Sequence, residues 1–315
     1  MKVFHKTRLG KYIIGDSLSL LSDGLAKKLK NKVQLIITSP PFPLNKKKSY
    51  GNYQGKKYKK WFSEFATIFS HLTKKNGSIV IELGNSWEPN RPVQSLLHLE
   101  ALMEFKRKGK LNLCQQFICY NPARLPSPAA WVTVNRIRTI DSFTHIWWMS
   151  KSDNPKADNK KVLRPYSESM KRLLKNKKYN AGIRPSEHRV SKKSFLVNNN
   201  GSIMHNVIDL EGIDPKRDLR LPKNVFSFAN TNSNDHYLKA CRENDIQPHP
   251  ARMPLKLVSF FIHFLTDPGD IVLDPFAGSN TTGFVAEKLK RKWFSIEIDE
   301  NYGRQSLLRF NKKLV

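Results

Sequence analysis

Four short runs of almost uninterrupted apolar residues constrain the fold of this chain more than anything else in it: Val33–Thr38, Ser78–Leu83, Ile271–Asp274 and Trp293–Ile298. A strand that is apolar at consecutive positions must be covered on both faces, which is the situation of a strand inside a parallel sheet. Segments with apolar residues at helical spacing stand beside these runs. They are Ser17–Lys30, Tyr58–Leu72 (with Trp61, Phe62, Phe65 and Phe69 on one side), Leu255–Leu265 and Thr281–Lys290. Strands alternating with helices predict an α/β chain with a doubly wound, Rossmann-like sheet. Tyr12–Gly15 reads as a further strand, and Asn112–Tyr120 and Ser142–Met149 as a strand pair flanking a Pro-rich loop. The Trp147-Trp148 pair on the latter reads as core and pocket wall.

The alternation stops at Lys151 and returns near Pro254. Between them the chain is polar, basic and irregular. Residues 151–193 carry 14 basic and 4 acidic side chains, and the 315-residue chain as a whole has a net charge of +29. A field of that sign attracts polyanions, and nucleic acid is the first candidate. The plainer alternative is a lysine-rich surface with no partner. No apolar run is long enough for a signal peptide or a membrane span, and no amphipathic basic helix addresses a lipid surface. Cys114, Cys119 and Cys241 form no CxxC pair and stand in no metal-ligand spacing with histidines, so neither a metal site nor a disulfide framework is expected. These features predict a protein of a reducing cytoplasm.

Two segments carry chemistry. In IVLDPFAGSNTTG (271–283) an apolar strand ends in Asp274, passes Gly278 and enters a helix near Thr281. Glycine lets the backbone approach a ligand, and the N–H groups of a helix start favour an anionic one. Such loops also serve plain strand-to-helix connections. Glu297 ends the next strand, where a carboxylate can accept from two ribose hydroxyls; taken alone, an ordinary strand-end carboxylate is the simpler reading. In ITSPPFPL (37–44) two prolines remove two N–H donors and stiffen the turn. What remains is the Ser39 hydroxyl, carbonyl oxygens and the Phe42 ring. Acceptors for two amine protons and one ring for stacking suit a planar group bearing NH₂, although a proline-rich turn with Phe42 in the core fits the same residues.

Together these segments resemble the amino-methyltransferases of DNA. TSPPF looks like the catalytic motif of the N4-cytosine branch, whose adenine-specific relatives more often carry DPPY or NPPY. DPFAGSNTTG looks like the family's S-adenosylmethionine loop, HPARMP (249–254) like the segment preceding it, and GDSLSLL (15–21) like the stretch whose Asp contacts adenine. The catalytic motif precedes the basic insert and the cofactor loop follows it, the circularly permuted order of the β class. The resemblance extends to NPARLPSP (121–128), VLRPYS (162–167), IRPSEH (183–188), NNNGSI (198–203) and RKWFSIE (291–297). It implies a catalytic part over 1–150, a target-recognition insert over 151–245 and a cofactor-binding part over 246–315.

The resemblance also assigns residues. Ser39, Pro40, Pro41 and Phe42 would form the catalytic corner. Asp16, Thr38, His249, Ala251, Asp274, Phe276, Gly278, Ser279, Thr281 and Glu297 would bind S-adenosylmethionine. Double-stranded DNA would be held by Lys46, Lys47, Lys48, Tyr50, Lys56 and Lys57 after the catalytic motif, and by Arg124, Arg164 and Arg184. A cognate restriction endonuclease is a functional counterpart, not a stable partner. Methyl transfer would go directly to a base turned out of the helix. An adenine-N6 enzyme of the same fold and a non-catalytic DNA-binding protein are the competing readings.

Overall fold

The computed structural model describes residues 2–43, 53–121, 123–209 and 236–310. Nine strands form one sheet: β1 (Lys2–Lys6), β2 (Gly10–Ile14), β3 (Val33–Thr38), β4 (Thr73–Gly84), β5 (Asn112–Tyr120), β6 (Phe143–Ser150), β7 (Val207–Asp209), β8 (Ile271–Asp274) and β9 (Lys292–Glu297), in the spatial order β1-β2-β9-β8-β3-β4-β6-β5-β7. The strands from β2 to β4 are parallel to one another, while β6 runs antiparallel to both its neighbours. Nine described helices accompany the sheet: α1 (Ser17–Ser22), α2 (Ala26–Leu29), α3 (Gly55–Leu72), α4 (Leu97–Lys108), α5 (Glu168–Asn176), α6 (His236–Glu243), α7 (Leu255–Leu265), α8 (Thr281–Lys288) and α9 (Glu300–Arg309).

Apolar residues on both sides of each central strand have a visible cause. Leu35 and Ile37 face a core shared with Val258 and Phe261 of α7, whereas Ile36 faces Phe62, Phe65 and Phe69 of α3. Trp147 and Trp148 divide likewise between the two cores, and both are buried. Burial of each such side chain is worth about 1.5–3 kcal/mol, so the two helical layers hold the sheet from both faces. Among the described residues no helix is long and apolar enough to cross a membrane.

The departures from sequence expectation have local reasons. The segment Ser17–Lys30 is two helices, because the chain leaves helical geometry at Asp23 and Gly24. Strand β4 begins five residues before the apolar run and α3 three residues before Tyr58. The edge strand β1 and helix α4 had no prediction. Within 151–245, Val162 and Ile208 reach the main core, β7 pairs with β5, and α6 packs on α9 through Tyr237, Cys241 and Leu308. The basic stretch is therefore sewn to the sheet at several points, and α5 projects from it with no buried side chain.

The strand order places the functional loops. From β3 the chain proceeds to β4 on one side; β8 pairs with β3 on the other side and leads outward to β9. Order reverses between β3 and β8, and in open α/β sheets ligands bind outside the carboxyl ends of the strands at such a point. The last residues of the two strands are bonded there: Thr38 Oγ1 donates to Asp274 Oδ1 at 2.7 Å.

Candidate active site

A cavity of about 570 Å³ opens at this switch point. Its walls combine Ser39, Pro40, Pro41 and Phe42 after β3 with Phe276, Gly278, Ser279 and Thr281 after β8. Asp16, His249, Ala251 and Glu297, also expected from the sequence, line it too. Segments from five parts of the chain thus converge on one space.

Thr38 and Asp274 do not line it. Both are buried behind the wall as a brace. Asp274 accepts from Thr38 Oγ1, from Thr282 Oγ1 at 2.6 Å and from the Phe276 amide at 3.1 Å, and its burial pushes its carboxyl up to about 6. Asp274→Ala strands two hydroxyls and an amide in the core. At about 1–3 kcal/mol per unsatisfied buried group, chemical denaturation is expected to show a loss of about 3 kcal/mol or more.

The glycine loop is held from every side. Gly278 has φ +49°, a left-handed conformation, and a Cβ there would meet His249 Nε2 at 2.9 Å. Its amide donates to Glu297 Oε2 at 2.8 Å, and its carbonyl accepts from the buried Tyr12 hydroxyl at 2.6 Å. Arg309 donates to the carbonyl and the hydroxyl of Ser279, at 2.7 and 3.0 Å. Ser17 Oγ donates to the Pro275 carbonyl. Glu297 Oε1 accepts from the Ile298 and Asp299 amides, and burial raises its pKa. A carboxylate has further lone pairs for hydroxyl donors. Asp16 caps α1 by accepting from the Ser19 amide at 2.8 Å while its residue stays on the cavity wall. Burial lowers the His249 pKa to about 4, so the ring is neutral at pH 7; its Nδ1 accepts from the Ala251 amide.

These residues fit S-adenosylmethionine: a half-buried carboxylate for ribose, a side-chain-free approach at Gly278, and aromatic Phe276, Trp61 and Tyr302 for flat surface. Trp61, Phe65, Tyr302, Arg252 and Met253 are wall residues that sequence reasoning missed. The aromatic stripe of α3 and the HPARMP run carried the signal for four of them.

At the catalytic corner, Pro40 is buried and Ser39 is half-buried. Phe42 lies over Gly84, where a Cβ would stand 2.5 Å from the ring. Behind Ser39 stands Glu82, 8 % exposed, the one charged residue within the apolar run of β4. Its carboxylate accepts from Thr144 Oγ1 at 2.9 Å, and the Ser39 side chain stands close enough to act on it. Burial raises the Glu82 pKa, and the Thr144 and Ser39 hydroxyls and the Arg124 charge partly offset the rise. Sequence reasoning overlooked Glu82, although a carboxylate inside a buried strand is itself a signal.

The expected DNA contacts fare unevenly. Lys46, Lys47, Lys48 and Tyr50 lie outside the described residues. Lys56 and Lys57 are exposed on the first turn of α3, beside Tyr53 on the cavity rim. Arg164 and Arg184 are exposed on the basic stretch, the former bonded to His205 at 2.9 Å. Arg124 is half-buried and donates to the Phe143 carbonyl at 3.2 Å. Among the described residues no group of His, Cys, Asp and Glu could hold a metal ion.

A cavity that fits S-adenosylmethionine, with the Ser39–Phe42 turn on its wall at the switch point, is the arrangement of a methyltransferase. The profile of the DNA methylases that modify N6 or N4 amines matches residues 33–307, and the chain belongs to that family. It is 39 % identical over 311 residues to the type II methyltransferase M.PvuII of Proteus hauseri, covering 98 % of this chain and 86 % of that one. The solved PvuII DNA methyltransferase (cytosine-N4-specific) superposes with a TM-score of 0.73 at 32 % identity, over 100 % of this chain and 90 % of that one. A shorter match, 40 % identical over 97 residues, links 31 % of this chain and 30 % of the other to the DNA adenine methyltransferase YhdJ of Escherichia coli.

Proposed function

We propose that this protein methylates the exocyclic N4 amine of a cytosine in duplex DNA, as the modification enzyme of a restriction–modification pair in a prokaryotic cytoplasm. The observation that carries the reading is that Ser39, Pro40 and Phe42 line the same cavity as the glycine loop. The Ser39 hydroxyl oxygen is one acceptor there, with Glu82 close enough to take up the hydroxyl proton. The second acceptor is the Pro40 carbonyl.

The N4 lone pair is delocalised into the cytosine ring, so the amine is a weak nucleophile. Two fixed acceptors draw its protons out of the ring plane and localise the pair. Dipoles held in advance stabilise developing charge without reorienting. S-adenosylmethionine, when bound, supplies a methyl group already activated by its sulfonium. The chain's remaining task is in-line placement. As the N–C bond forms, the amine sheds one proton, for which Ser39 Oγ and then Glu82 form a path.

The base reaches such a corner only by leaving the duplex. Phe42 offers it a ring, and the exposed Lys56 and Lys57 a hold on phosphate. The 151–245 stretch, with Arg164 and Arg184, supplies target recognition. A thiol mechanism is disfavoured: no cysteine lines the cavity, burial pushes the Cys114 thiol up to about 11, and burial raises that of Cys119 further.

Mass spectrometry of nucleosides from DNA modified in vitro tests the reading. N4-methylcytosine is the expected product, with no protein–DNA adduct on 5-fluorocytosine. N6-methyladenine as the main product would overturn the choice of base. 5-Methylcytosine or a trapped adduct would overturn the mechanism.

A further inference from the structure

The connection 121–142 between β5 and β6 has an unusual composition for a surface loop. It bears Leu125, Trp131, Val132, Val134, Ile137 and Ile140, three arginines, and no acidic residue before Asp141. It is also fastened in place. The Asn121 amide donates to the Ser142 carbonyl at 2.8 Å, Arg138 Nη2 donates to the Pro92 carbonyl at 2.7 Å, and Asn85 Nδ2 donates to Asp141 Oδ1 at 2.7 Å. Trp131 packs on Trp87 with ring centroids 5.5 Å apart.

That fastening leaves apolar side chains outside. Leu125 is 82 % exposed and Val134 75 %. The position of the loop is equally specific. Leu125 follows Arg124, whose guanidinium binds the Phe143 carbonyl and acts on Glu82, the carboxylate behind Ser39. Arg136 and Arg138 place further positive charge on the same segment. Cationic side chains beside a projecting aliphatic one suit a duplex: the charges meet phosphates and the aliphatic group enters the base stack, as in proteins that insert Leu or Ile between base steps.

We infer that this connection is a DNA-entering knuckle and that Leu125 fills the gap left in the duplex when the target base turns out. The inference rests on the proposed reading that the cavity takes a base extruded from DNA. Filling the gap restores stacking that eversion removes, and so holds the base in the cavity long enough to react.

The test uses the full-length enzyme, Leu125→Ala, and a duplex carrying the site that the wild type methylates. A second duplex has a pyrene nucleotide opposite the target base, which occupies the same gap. Leu125→Ala is expected to slow single-turnover methylation of the ordinary duplex about tenfold or more, from loss of restored stacking. The deficit should shrink to less than about threefold on the pyrene duplex, with unchanged S-adenosylmethionine binding showing an intact fold. Wild-type rates on the ordinary duplex would overturn the inference. So would a deficit that pyrene does not relieve, or a dimer of the wild type that Leu125→Ala dissociates, which would make the patch a contact between copies. Failure of the wild type to methylate any duplex would instead remove the proposed function.

Discussion

Ser39→Ala is expected to lower turnover by about 10²-fold while leaving cofactor affinity within about twofold, by analogy with loss of one preorganised group in a polar site. The asymmetry follows from the geometry. Ser39 follows β3 and stands beside Glu82, whereas the glycine loop follows β8 and draws none of its hydrogen bonds from Ser39, so removing the hydroxyl costs the proposed acceptor and no bond of the cofactor loop. Glu82→Gln separates orientation from charge. An amide can donate as well as accept, so Ser39 is no longer held in one sense, and turnover should fall about tenfold, a charge-assisted hydrogen bond being roughly twice as strong as a neutral one. The pH profile adds a signature. Burial places the Glu82 pKa above the ordinary carboxylate range, so the charged acceptor is present at high pH and lost as pH falls through that raised value. Wild-type activity should therefore carry an acid limb that Glu82→Gln lacks. Single-turnover rates across pH, with calorimetric titration of S-adenosylmethionine, measure both parts. Wild-type turnover in Ser39→Ala would remove the proposed role.

Gly278→Val should weaken S-adenosylmethionine binding by about 10²-fold or more. Its φ of +49° is unfavourable for any β-branched residue, and the added Cβ would stand 2.9 Å from His249 Nε2. His249 cannot simply swing aside, because it is half-buried, accepts from the Ala251 amide and packs edge-on to Tyr302 with centroids 4.1 Å apart. The displacement would fall on the amide bonded to Glu297 and the carbonyl bonded to Tyr12. Glu297→Ala offers a milder check should Gly278→Val fold poorly. It removes the acceptor for three amides as well as the proposed ribose contact, and affinity should drop about tenfold, one to two hydrogen bonds' worth. Unchanged affinity in both variants would mean that the cofactor binds elsewhere.

Much of this was legible in the sequence because the central strands are apolar at every position, and only a covered parallel sheet tolerates that. Ser39, Phe42 and Gly278 could be picked out because each departs from what plain secondary structure requires: two prolines closing a strand and a glycine before a helix. Glu297 reads alone as an ordinary strand-end carboxylate and entered only through the family resemblance. The residues that escaped look ordinary in sequence. Trp61 and Phe65 belong to a helix face that reads as core, and they are core on one side and cavity wall on the other. Asp274 was legible as a member of the loop but not as its brace, since the partner hydroxyl of Thr38 is 236 positions away along the chain. Strand β1 gave no signal because an edge strand with Lys2, His5 and Lys6 has no two-sided apolar pattern.

The pairing of β3 with β8 sets a length scale for the reaction. The acceptor corner hangs from the end of one strand and the cofactor loop from the end of its neighbour, so the two are offset by one interstrand step of about 4.8 Å. That step belongs to backbone hydrogen bonds and cannot be tuned by exchanging side chains. On the proposed reading, substitutions in the basic stretch would change which duplex is presented without altering the gauge between donor and acceptor. Addressing and chemistry can then diverge at different rates in a lineage, one drifting to new DNA sequences while the other stays fixed.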